Sequence, residues 1–168
     1  MVRPRHDPSK NLVGFVVGDV HYAVPVAAVR EITNPIDVVE LPLAPDDVIG
    51  VADVRGEVVP VVDLRTRFGL RDDGPSRRSK WIVLRVATKL CALAVDTVTD
   101  VFGATDGELR APPPLRGGER TRGIRHVTNR GDTLVFVLDP AIVAASALEI
   151  DDSAVASERS FPFGKGTP

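Results

Sequence analysis

Residues 50–65 read Gly50-Val51-Ala52-Asp53-Val54-Arg55-Gly56-Glu57-Val58-Val59-Pro60-Val61-Val62-Asp63-Leu64-Arg65. Val48 to Val54 is rich in β-branched residues and reads as a strand. Arg55-Gly56-Glu57 is a tight turn, and Val58 to Val62 returns, so the stretch is a hairpin. Pro60 removes one ladder donor, which predicts that its strand is an edge or carries a bulge. Asp63 is an N-cap for a short helix, Leu64 to Phe68, and Gly69 is its natural stop.

The same grammar runs outward in both directions. Leu12 to Val17 and Val20 to Val24 are strands flanking a Gly18-Asp19 turn. Pro25 suits the first turn of a short helix. Val26, Val29 and Ile32 recur at helical spacing, which extends that helix to Asn34-Pro35 and puts Arg30 and Glu31 toward its other face. Val38 to Leu41 is a short extended run. The charged stretch Arg71 to Arg78 divides the chain into two β-rich halves. Beyond it come strands at Trp81 to Val86, Leu90 to Val95 and Val98 to Phe102, then a Pro/Gly/Arg loop from Ala111 to Arg122. Ile124 to Val127 and Thr133 to Leu138 flank a turn at Asn129-Arg130-Gly131-Asp132. Asp139-Pro140 is an N-cap followed by proline at N1, launching a helix to about Leu148. The expected organisation is a flexible tail over 1–10, one domain over 11–150 with its connector near 71–78, and a disordered tail over 151–168.

Composition agrees with an all-β chain. Valine supplies 27 of the 168 residues, and its branched side chain suits a pleated, half-buried surface. The formal net charge of −2 gives no dominant pull toward nucleic acid or acidic lipid. The polar start carries no apolar signal segment, and no apolar run approaches the roughly 18 residues that span a bilayer. The expectation is a soluble cytoplasmic protein without direct membrane insertion. Cys91, in an apolar strand pattern, reads as a buried, inert thiol.

Candidate chemistry is sparse. His6, His21 and His126 have no metal-ligand spacing to one another or to Cys91. There is no nucleophile elbow, and Gly164-Lys165-Gly166-Thr167 lacks the spacing and flanking elements of a phosphate loop. The adjacent aspartate pairs lie in turns. No cofactor, metal or catalytic residue is therefore expected. Arg116 to Arg130 holds five arginines against one glutamate, which raises the alternative of a small β-barrel binding single-stranded nucleic acid. No aromatic residues are interleaved there to stack on bases, so no nucleic acid is expected as a partner.

The 50–65 stretch resembles the signature of the CheW family of chemotaxis adaptors. Supporting blocks occur in the family order: Phe15 to Gly18, Tyr22, Val29-Arg30-Glu31-Ile32, and Val95-Asp96-Thr97-Val98-Thr99-Asp100-Val101. Together they cover roughly Leu12 to Leu148. The resemblance implies two SH3-like five-stranded barrels with short helices around a shared hydrophobic interior. It also implies a non-enzymatic scaffold coupling the cytoplasmic tip of a chemoreceptor to the regulatory domain of a CheA-type histidine kinase, in arrays at the inner face of the membrane. An adaptor for a non-flagellar chemosensory pathway is the variant reading.

Carried over position by position, the resemblance implies a receptor-binding groove of Val29, Glu31, Gly50, Arg55, Trp81 and Val98, with Glu31 and Arg55 as an ion pair. It implies a second, kinase or ring interface at Arg110 and Leu115. Leu115 stands where an aromatic residue is common in the family, Lys80 where an apolar one is, and Trp81 is bulkier than the usual aliphatic. Asp53 interrupts a stretch that is commonly uncharged.

Overall fold

The computed structural model describes residues 10–70, 79–114 and 123–150. Residues 1–9 of the expected N-terminal tail, the expected tail over 151–168, the 71–78 connector and Leu115 to Arg122 lie outside them, whereas Lys10 is described and pairs with Asp106 at 2.9 Å. The strands among the described residues are β1 (Asn11–Val17), β2 (Val20–Pro25), β3 (Val29–Thr33), β4 (Val48–Val54), β5 (Glu57–Asp63), β6 (Lys80–Val86), β7 (Lys89–Val95), β8 (Thr97–Gly103), β9 (Ile124–Arg130) and β10 (Thr133–Leu138). Three single-turn helices accompany them, α1 (Leu64–Arg67), α2 (Pro140–Val143) and α3 (Ala145–Leu148).

Two five-stranded sheets result. One has the order β8-β1-β2-β10-β9, the β1 sheet, and the other β3-β6-β7-β5-β4, the β6 sheet. The all-β fold class stands, but neither sheet is a closed barrel. The edges β8 and β9, like β3 and β4, share no backbone pairing among the described residues. Side chains span each seam instead: Arg130 of β9 pairs with Asp100 of β8, and Arg55, in the β4–β5 turn, pairs with Glu31 of β3.

The two sheets are built to one plan. In each, an antiparallel hairpin joins a second hairpin through a parallel pair, β2 with β10 and β5 with β7. In each, the outer strand on the first hairpin carries a register shift at the same place: Val98↔Phe15 and Val101↔Val13 correspond to Val29↔Leu84 and Ile32↔Ile82. Even the isolated bridges match, Val39↔Val51 beside β4 and Arg110↔Val127 beside β9. Each sheet takes its first hairpin from one half of the chain and its other three strands from the other half. The strands on either side of residues 71–78, β5 and β6, lie in the same sheet.

This exchange produces the shared interior. The largest cluster of buried side chains joins Val13, Phe15, Val17 and Tyr22 of the β1 sheet to Val62, Ile82, Leu84, Cys91 and Leu93 of the β6 sheet. Fully burying each such side chain contributes roughly 1.5–3 kcal/mol, so the two halves are held as one body. Smaller apolar clusters lie toward the outer end of each sheet.

Polar links lock the helices on. The Asp63 and Asp139 carboxylates cap α1 and α2, accepting from the Arg65 and Ala141 N–H groups at 3.0 Å. Leu70 N–H donates to the Arg65 carbonyl and Gly69 N–H to the Thr66 carbonyl, the paired bonds that close a helix through a residue at positive φ, here Gly69 at +72°. The helix expected from Asp139 to Leu148 is broken at Ala144. The Ile142 carbonyl accepts from Arg67 Nη2 at 3.0 Å, and Ser146 Oγ donates to Asp47, so the chain turns to serve both contacts.

Two further expectations need correction. The helix expected from Val26 through Ile32 is a single 3₁₀ turn, Val26–Ala28, followed by β3. Val29, Ile32 and Thr33 are β-branched and pair with β6, and burial there alternates with period two. Glu31 therefore shares a face with Val29, while Arg30 and Ile32 point outward. Pro60 does not mark an edge, because β5 lies between β7 and β4. Val51, opposite it, exchanges both backbone hydrogen bonds with Val39 at 2.8 and 2.9 Å. Pro60 thus occupies a pair without ladder bonds, and pairing with β7 begins only at Val61. The register shift lies in β4, between Val48 and Gly50.

Candidate functional site

The β4–β5 turn places Arg55 and Gly56 at φ +53° and +86°. Positive φ at both central residues matches the twist of a two-residue hairpin. A non-glycine residue there costs on the order of 1 kcal/mol, and Asp53 helps hold it, its Oδ1 accepting the Gly56 N–H at 2.8 Å. Asp53, out of pattern in the sequence, is thus the brace of this turn. The turn swings Arg55 over β3, where its Nε donates to Glu31 Oε2 at 2.8 Å. Beside this pair, Arg30 Nη1 bonds Glu57 Oε2 at 2.6 Å.

The Arg55 side chain is 76% exposed and that of Glu31 only 20%. An exposed arginine lies over a half-buried carboxylate fixed on a strand. In water such a pair contributes about 0–1 kcal/mol. A partner that covers it strengthens its electrostatics and reads its position, which favours specificity over raw affinity.

The other expected site residues divide into two groups. Val29 and Val98 occupy equivalent places on β3 and β8, both half-buried and packed against the shared interior. Gly50 and Trp81 are buried. A side chain at Gly50 would run into the Val39 carbonyl and the Val38 side chain, so glycine lets the Val38–Val39 segment cross β4. Trp81 packs with Val54, Val59, Val61 and Val83. Both shape the surface from beneath instead of presenting a side chain to it. Lys80, half-buried, bonds Asn34 Oδ1. Arg110 is tied to β9 by backbone bonds with Val127 at 2.9 Å and by its Nη2 to Asn129 Oδ1 at 2.8 Å. Leu115 lies outside the described residues.

Sequence reasoning missed the counterpart of this site on the β1 sheet. Asp100 holds the place on β8 that Glu31 holds on β3, and Arg130 reaches it from the β9–β10 hairpin. The Arg130 guanidinium also lies 4.5 Å from the centroid of the Phe102 ring. A signal was present in the strands, Val29-Arg30-Glu31-Ile32 and Val98-Thr99-Asp100-Val101, although Arg130 stands one place earlier in its hairpin than Arg55 does. Pairing also changes the reading of the Arg116–Arg130 stretch, since Arg130 and Arg125 each face a carboxylate, the latter Asp139 at 3.8 Å. Another missed link joins the halves. Arg65 donates to both oxygens of Asp96 at 2.7 Å, and Gly18 N–H donates to the same carboxylate. Burial pushes the Asp96 carboxyl up, but these bonds and the Arg65 charge outweigh it and hold the group below its ordinary value.

Among the described residues no three His, Cys, Asp or Glu side chains converge as metal ligands, and no helix is long and apolar enough to cross a membrane. Burial pushes the Cys91 thiol up to about 12, which leaves it a poor nucleophile.

The family model of the CheW-like domain matches residues 11–147. The chain is 34% identical over 129 residues to the chemotaxis protein CheW of Rhizobium meliloti (strain 1021), covering 75% of this chain and 83% of that protein. It is 28% identical over 126 residues to the chemotaxis protein CheW of Helicobacter pylori, 75% and 76% of the two chains. It is 29% identical over 110 residues to protein FrzA of Myxococcus xanthus, 66% and 68%. In fold it is similar to the crystal structure of the scaffolding protein TtCheW from Thermoanaerobacter tengcongensis, with a TM-score of 0.74 at 23% identity over 80% of this chain and 92% of that one.

Proposed function

The chain belongs to the CheW-like domain family, and on that premise we propose that it couples chemoreceptors to a CheA-type histidine kinase without catalysing a reaction. The observation that carries this reading is the Glu31–Arg55 pair, an exposed arginine held at positive φ over a half-buried carboxylate. A receptor's helical hairpin tip needs apolar contact for its side chains and a few fixed polar groups to set its register. Val29 and Val98 supply part of the first, and the ion pair supplies the second. Gly50 and Trp81 hold the β3–β4 end in shape. Arg110, with Leu115, is the second contact, toward the kinase regulatory domain. On this reading the protein works in the cytoplasm, at receptor arrays on the inner face of the membrane.

The test is capture of a receptor cytoplasmic fragment by the wild-type chain and by Glu31→Arg and Arg55→Glu, with thermal melts of each. Capture is expected to be lost in both variants while the melts stay close to wild type. Unchanged capture by both charge reversals would sink the assignment.

A further inference from the structure

Aligned by strand register, the outer ends of the two sheets are filled by different side chains. In the β6 sheet the positions facing this end hold Ala52, Val54, Val83 and Leu90, which pack with Trp81 and Val59. The matching positions of the β1 sheet hold Thr128, Arg130, Gly14 and His21. Three apolar side chains are thereby exchanged for a guanidinium, an imidazole and a hydrogen atom. A cavity of about 350 Å³ opens there, with Gly14, His21, Asp100, Phe102 and Arg130 in its wall. A side chain at Gly14 would sit 2.6 Å from Thr99 Oγ1, so glycine is what keeps this wall thin.

A further polar side chain lies behind the wall and does not itself line the cavity. Thr128 is 1% exposed, and its Oγ1 has no hydrogen-bond partner among the described residues. It is the cross-strand partner of Val135, which lines the cavity, and lies on the same face of β9 as Arg130. Buried hydroxyls are nearly always bonded.

We propose that this cavity is a binding site for a free α-amino acid. Arg130 and Asp100 pair with each other at its mouth, each side chain 41% exposed. A simple anion would meet Asp100 as well as Arg130, and a simple cation the reverse. A ligand carrying both charges on neighbouring atoms satisfies both, its carboxylate on the guanidinium fork and its ammonium on Asp100. Displacing an exposed ion pair costs little. The Phe102 ring, with Arg130 over it, and Val135 are apolar groups of the wall, and the hydroxyls of Thr99 and Thr133 with the His21 ring supply further hydrogen-bonding groups. The volume lies at the small end of the range for pockets that enclose small ligands.

The experiment titrates each of the twenty L-amino acids, to about 10 mM, into the isotope-labelled chain and follows its amide resonances. At least one should shift the amides of Gly14, Thr99 and Gly131 saturably. Its decarboxylated amine and its deaminated acid should each bind at least about tenfold more weakly, as should the amino acid itself to Asp100→Asn. The double variant His21→Leu, Arg130→Val places the β6-sheet residues in the cavity and should abolish binding without lowering the melting temperature. The proposal is overturned if no amino acid shifts those amides, if either single-charge analogue binds within that tenfold, or if the double variant binds like wild type.

Discussion

In the β6 sheet, Val54, Val83 and Leu90 close over Trp81; in the β1 sheet the same register positions hold Arg130, Gly14 and His21, and Leu12, the counterpart of Trp81, packs with Ala23, Val135 and Val137. Backbone pairing, register shifts and hairpins agree between the two, so the difference lies in the side chains alone. It separates two demands on one architecture. The shared interior and the apolar β6 end supply stability, with the packed side chains that such an end needs. The β1 end gives up apolar volume and gains charge, hydroxyls and a cavity. Its backbone survives because the shared interior, anchored by Phe15 and Tyr22, holds β1 and β2 from the other face.

The largest break in this comparison comes from emptying the end that is full. Trp81→Ala should cost about 3–5 kcal/mol, the range for a buried aromatic in a packed cluster. Leu12→Ala, its register counterpart, should cost less, about 2–3 kcal/mol, because the neighbouring end is already loosely filled. Urea denaturation measures both. Equal losses would show that the two ends are equally well packed. Cys91, wholly buried in the shared interior, reports whether they unfold together. Its labelling by a thiol reagent should stay slow at mildly alkaline pH and accelerate in both variants in proportion to global unfolding.

Filling or neutralising the polar end should act in the opposite direction. Thr128→Val keeps the side chain's shape and removes the hydroxyl that lacks a partner. It should stabilise the chain by about 1 kcal/mol or more, against the 1–3 kcal/mol that an unsatisfied buried polar group costs. A thermal melt reads the sign directly. A destabilised Thr128→Val would mean that the hydroxyl is served by bound water.

Much of this was legible in the sequence, and the exceptions have physical causes. The hairpins, the Asp63 and Asp139 caps and the Gly69 stop are local, and local chemistry specifies them. The Glu31–Arg55 pair was reached by family resemblance, and the helical reading of its segment was wrong. Val26, Val29 and Ile32 fit both a helix and a 3₁₀ turn running into a strand, and only pairing with β6 decides between them. The exchange of first hairpins between halves rests on the parallel pairs β2–β10 and β5–β7, contacts between distant residues that no local pattern encodes. The polar end was hidden for the same reason, since Gly14, His21 and Arg130 meet only once the register is known.

A smaller effect tests the link between the halves. Asp96 keeps its carboxyl low in the folded chain through Arg65 and Gly18. A depressed folded value means that the contribution is fully present above the unfolded value and is lost as pH falls through the folded one. Stability relative to Asp96→Asn should therefore be constant from neutrality to about pH 5, and the gap should close below the ordinary 3.8. A gap that does not depend on pH in acid would mean that Asp96 acts through packing and not through its charge.

The smallest effects on stability belong to the two seam pairs, and there the comparison is sharpest. Glu31→Gln and Asp100→Asn each remove one charge from an exposed pair, so each should change stability by no more than about 1 kcal/mol. Their functional readouts should part company. Glu31→Gln should weaken capture of a receptor fragment and leave amino-acid binding intact, while Asp100→Asn should do the reverse. If both variants weakened capture alone, the equivalent carboxylates would be two contacts of one docking surface, and the polar β1 end would have no ligand of its own. If each affects only its own readout, then one backbone plan has been used twice, once to display an arginine over a filled interior and once to hold one across an open cavity.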